Sequence, residues 1–94
     1  MGEPLFLIEC YASSATAEVA AEMLAQLRSG ANGGSGTSSV TPMSCIAVPS
    51  DEIIYCLVTS DSADSVREAL TNMSIGHDRI VGAVEVKPVR GVGP

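Results

Sequence analysis

Ninety-four residues, a net charge of −6 and a hydrophobic fraction of 46% bound this chain. That length makes one domain, which buries about 60–65% of the surface its unfolded form exposes. Lys87 is the one lysine and Arg28, Arg67, Arg79 and Arg90 are scattered, so no basic patch exists to hold nucleic acid or an anionic membrane surface.

Leu5–Tyr11 predicts a strand, set off by Pro4 and by Ser13-Ser14. A helix follows over 15–28, where Val19, Ala20, Met23, Leu24 and Leu27 fall at helical spacing. Ser14 is placed to cap it, Glu18 and Glu22 lie toward its positive end, and Gly30 is a natural stop. The stretch 29–39 carries four glycines and no large apolar side chain, which reads as a flexible loop. It follows a helix and ends without the GK[ST] of a phosphate-binding loop.

Thr41–Val48 and the run 52–58 read as two strands of a hairpin, joined by Pro49-Ser50-Asp51. A second helix is expected over 62–73, with Val66, Ala69, Leu70 and Met73 as its apolar stripe and Asp61 or Ser62 as its cap. Positions 79–87 form the expected last strand, ended by Pro88, with a frayed tail over 89–94. The order β-α-β-β-α-β is that of the split βαβ, ferredoxin-like α+β fold. Right-handed crossovers put both helices on one face of a four-stranded antiparallel sheet.

Strand alternation then sorts the side chains. Phe6, Ile8 and Cys10 are assigned to the helix side, with Ser44, Ile46 and Val48, then Ile54, Cys56 and Val58, then Ile80, Val84 and Val86. The other face receives Leu5, Leu7, Glu9 and Tyr11, then Met43, Cys45 and Ala47, then Ile53, Tyr55 and Leu57, then Val81, Ala83, Glu85 and Lys87. An uncovered face this apolar usually marks an interface, so the expected partner is a second copy of the chain, in a homodimer or higher oligomer. In this register Cys45 lies opposite Tyr55 and on the other face from Cys56, which separates the two thiols.

No run of about 20 apolar residues is present to cross a membrane. Met1-Gly2-Glu3-Pro4 lacks the basic region of a signal peptide, so a cytoplasmic location is expected. Three cysteines, an odd number with no CxxC, fit a reducing compartment. His77, the single histidine, sits in the turn before the last strand. The fold brings that turn near the end of the first strand, hence near Glu9 and Tyr11. Glu9, His77, Tyr11 and Cys45 are therefore the candidate ligands for a divalent transition metal, although no HxH, CxxC or HExxH spacing is present. One histidine and no nucleophile elbow leave no catalytic triad.

The run from Cys56 to Ala69 (Cys-Leu-Val-Thr-Ser-Asp-Ser-Ala-Asp-Ser-Val-Arg-Glu-Ala) resembles the C-L-Y-E-A-P-D-A-E-A-V-R-E-A segment of a family of small bacterial proteins named after a nickel-binding member. Leu7-Ile8-Glu9, Gly76-His77-Asp78-Arg79-Ile80-Val81 and Val84-Glu85-Val86 extend the likeness to about two thirds of the chain. Val58 and Thr59 stand where that family often has Tyr and Glu. The resemblance implies a ferredoxin-like fold, association through the sheet and nickel as a ligand. The expectation is a binding protein rather than an enzyme. The alternatives are a dimeric α/β-barrel-type monooxygenase or isomerase and a regulatory small-ligand-binding module.

Overall fold

The computed structural model describes residues 4–32 and 40–86. Its elements run β1 (Leu5–Tyr11), α1 (Ala17–Asn32), β2 (Thr41–Val48), β3 (Ile53–Thr59), α2 (Ala63–Asn72) and β4 (Arg79–Ala83). The strands form one antiparallel sheet in the order β2-β3-β1-β4, the expected ferredoxin-like topology. Ala20 and Leu27 of α1, and Val66 and Leu70 of α2, join Ile8, Ile54, Cys56 and Val58 in a single core cluster. Both helices therefore cover the same face. Each fully buried Ile, Leu or Val there contributes about 1.5–3 kcal/mol. Among the described residues, no helix is long and apolar enough to cross a membrane.

The first helix starts later and ends later than its sequence suggests. Thr16, not Ser14, is the cap: its Oγ1 accepts from Val19 N–H at 3.2 Å, and its carbonyl accepts from Ala20 N–H at 3.0 Å. Gly30 does not stop the helix but lies within it. A Cβ on Gly30 would fall on the Met73 thioether, so this glycine lets the end of α2 approach α1. Most of the expected flexible loop, residues 33–39, lies outside the described residues, as do Lys87 and the tail 89–94.

The second helix matches its sequence signals within one residue at each end. Ser62 caps it by accepting from Ser65 N–H at 3.1 Å. At its other end Ile75 N–H donates to Leu70 O at 2.9 Å and Ser74 N–H to Thr71 O at 3.0 Å, a Schellman closure with Ser74 in the left-handed region at φ 57°.

The β2–β3 hairpin corrects the expected register. Val48 pairs with Ile53, so the connection is Pro49 to Glu52, four residues instead of three. Pro49–Asp51 forms one 3-10 turn, closed by Glu52 at φ 54° with its N–H donating to Pro49 O at 3.1 Å. One extra residue flips the side chains of β2 from Ser44 to Val48. Cys45 and Ala47 now pack against the core, while Ser44 and Ile46 lie on the outer face, with Ile46 59% exposed. Val48, also assigned inward by sequence, shares that outer face opposite Ile53. A bulge at Met43 restores the earlier phase, pairing Pro42 with Val58.

The last strand is shorter than expected. Its ladder with β1 ends at the pair Leu5–Ala83, where β1 itself begins. Ile80 reaches the core as expected, but Val84 and Val86 lie beyond the strand and are 87% exposed rather than inward.

Candidate functional site

The turn before β4 docks on the end of β1. Asp78 N–H donates to Glu9 O at 2.8 Å, and Asp78 Oδ2 accepts from Tyr11 N–H at 2.7 Å. These bonds hold the His77 turn at the Glu9–Tyr11 end of the sheet, as the topology predicts. His77 is half-buried, its Nδ1 3.5 Å from Ile75 O. Tyr11 is exposed. Glu9 faces Arg79 across the β1–β4 pair, with Arg79 Nη1 3.9 Å from Glu9 Oε2 and the Glu9 side chain only 13% exposed. Sequence reasoning missed the roles of Asp78 and Arg79. An antiparallel β1–β4 register drawn from the His77 turn would have placed Arg79 opposite Glu9.

Cys45 does not join this group. It lies on the helix side of β2, whereas Glu9 lies on the outer side of β1, because the four-residue connection inverted β2. Among the described residues, no three His, Cys, Asp or Glu side chains gather as a set fit for a metal ion. Structural sites for a metal such as zinc draw on about four protein ligands. The four candidate ligands together do not make such a site within one chain.

The thiols form a different constellation. Cys45 is directly opposite Cys56 in the β2–β3 register, and both face α1, where Cys56 Sγ is 3.3 Å from Met23 Sδ. The Cys56 thiol has one hydrogen and two sulfur acceptors, Met23 and Cys45. Donation to Cys45 lowers the Cys45 pKa despite its partial burial, and the Arg28 charge helps. The same bond, with burial and the neighbouring sulfurs, pushes Cys56 up. Cys10 stands apart, its Sγ donating to Gly76 O at 3.3 Å. Burial, the Asp78 charge and then Cys45 push it up to about 11. Cys45 also lines a cleft of about 370 Å³ between α1 and β2, walled by Ala17, Ala20, Ala21, Leu24, Ala47 and Pro49.

The outer sheet face is apolar, and among the described residues no helix covers it. Leu5, Leu7, Tyr55, Leu57 and Val81 are half-buried there and Ile46 is exposed. Ile53, whose cross-strand partners are Tyr11 and Val48, is buried at 3% exposure. The Glu9–Arg79 pair closes one end of this field.

No family model matches the chain, and no curated protein matches it in sequence. Among solved structures, it is similar to SCO4226 from Streptomyces coelicolor A3(2), with a TM-score of 0.66, 18% identity, and coverage of 88% of this chain and 99% of that one. At that identity the likeness establishes a shared fold.

Proposed function

We propose that the protein is a non-enzymatic binding module that assembles as a homodimer by packing two outer sheet faces together. The observation that carries this reading is the apolar field built from Leu5, Leu7, Tyr55, Leu57 and Val81, which no helix among the described residues covers. A contiguous apolar surface of this kind costs free energy in water, and a second copy removes it. Local charge neutrality keeps this face compatible with self-association. The chain carries a net −6, but the charged residues of the field include Glu9 matched by Arg79. Two such faces therefore meet with apolar side chains and a balanced ion pair.

Light scattering tests this directly. The wild type should show twice the monomer mass, and Leu7→Arg or Tyr55→Glu should return it to the monomer. A wild type that runs as a monomer, or variants that keep the dimer mass, would remove this face as the interface.

A divalent transition metal such as nickel is the ligand we propose for the polar end. The docking of the His77 turn on β1, through Asp78 and Glu9, supports this part. Glu9 and His77 would supply the principal donors, with Tyr11 beside them. Isothermal titration of nickel into wild type and His77→Ala decides it. Nickel heat in the wild type that is lost in the variant supports the site, while equal and negligible heat in both removes it.

A further inference from the structure

We propose that Cys45 and Cys56 are a dithiol redox site, in which a hydroperoxide oxidises Cys45 from the α1–β2 cleft and Cys56 then closes an intrachain disulfide. The inference is independent of the assembly reading, because both thiols lie on the opposite side of the sheet from the outer face.

Geometry carries it. Cys45 and Cys56 are direct cross-strand partners on one face. Such partners have Cα atoms about 4.5–5.5 Å apart, within the span of about 4.4–6.8 Å that a disulfide bridges. Their Cβ atoms, about 4.5–5.5 Å apart in such pairs, need only a small approach to reach the disulfide range of about 3.5–4.5 Å. Access separates their roles. Cys56 is 0% exposed, whereas Cys45 is partly exposed and lines the cleft. The oxidant therefore meets Cys45 first. Alanines at 17, 20 and 21 on the facing helix leave room for a small peroxide.

The chemistry balances. The Cys45 thiolate attacks one peroxide oxygen, so an S–O bond forms and the O–O bond breaks. The departing oxygen takes a proton and leaves as an alcohol, or as water when the oxidant is hydrogen peroxide. Cys45 is left as a sulfenic acid. The Cys56 sulfur then attacks the Cys45 sulfur, the S–S bond forms and the S–O bond breaks, and the hydroxyl leaves as water with the Cys56 proton. Two thiols and one hydroperoxide become one disulfide, one alcohol and one water, the sulfurs losing two electrons in all. The hydrogen that Cys56 offers to Cys45 favours the Cys45 thiolate for the first step. Cys10 is positioned as a bystander, since it faces Ile54 across β1–β3 and its thiol is held by Gly76 O.

The test is oxidation of the folded, reduced protein with hydrogen peroxide, followed by intact mass and non-reducing peptide mapping. The expected product is lighter by two hydrogens and carries one Cys45–Cys56 link, reversed by dithiothreitol. Cys10→Ser should give the same product. Cys56→Ser should stop at a Cys45 sulfenic acid that dimedone traps. The wild-type map needs no variant to fold. An unchanged mass, a link through Cys10 or links only between chains would overturn the proposal.

Discussion

The thioether of Met73, at the end of α2, occupies the space that a Cβ on Gly30 of α1 would fill. The contact is reinforced nearby, where Gln26 Nε2 donates to Met73 O at 3.2 Å. Gly30→Ala therefore sets two effects against each other. Alanine favours a helix interior by about 1 kcal/mol, but overpacking a close contact costs about 1–3 kcal/mol. We expect a net loss, read by urea unfolding, and partial recovery in the double variant Gly30→Ala with Met73→Ala. Additive losses in the double variant would show that the two residues do not share this contact.

The cap of α1 makes a second test. Thr16→Ala removes the acceptor used by Val19 N–H and should cost about 1 kcal/mol of stability. Ser14→Ala, the change that the sequence alone would mark as the cap, should stay within about 0.5 kcal/mol of wild type. Thermal melts of the pair distinguish the two positions.

The hairpin register is open to the same treatment. Ala47 packs toward the core and Ile46 points outward. Ala47→Asp places a charge in the apolar α1–β2 cleft, so it should cost about 2 kcal/mol more than Ile46→Asp in chemical denaturation of dilute protein. The opposite order is what the three-residue connection would require.

These contrasts show which parts of the fold the chain makes legible. The limits of β1 and β2 and both apolar helix stripes are written in local pattern. The inward face of β2 is not, because Cys45 and Ala47 on one side and Ile46 and Val48 on the other are all apolar or neutral enough to be buried. Alternation then cannot choose a register, and the choice falls to the connection. That depends on Glu52 adopting φ 54°, a conformation glycine or asparagine would have advertised. Ser74 at φ 57° hides the end of α2 in a similar way. For the candidate site, topology was sufficient to bring His77 toward Glu9 and Tyr11. Misplacing β2 put Cys45 with them, and concealed its pairing with Cys56.

Alkaline pH should weaken the fold through Cys10. Its thiol is pushed from 9.0 up to about 11, first by burial and then by the Asp78 charge. The unfolded chain releases this proton near its ordinary value, while the folded protein holds it until about 11. Stability from this group is therefore complete below 9.0 and is lost as pH rises from there toward 11. Cys56, also pushed up, acts in the same direction. Urea midpoints followed across that range should fall in the wild type and fall less steeply in Cys10→Ser. Parallel slopes would remove Cys10 as a source of the dependence.

The bulge at Met43 has a bearing on how copies of the chain can meet. It sits on β2, an outermost strand, next to Pro42, which has no N–H to offer a neighbour. The ladder a foreign strand would have to copy is interrupted there. The β2 rim of the sheet is thus a poor template for strand addition, which guards against open-ended stacking of chains along that edge. The assembly proposed above uses the broad side of the sheet instead, where side chains rather than backbone decide what fits.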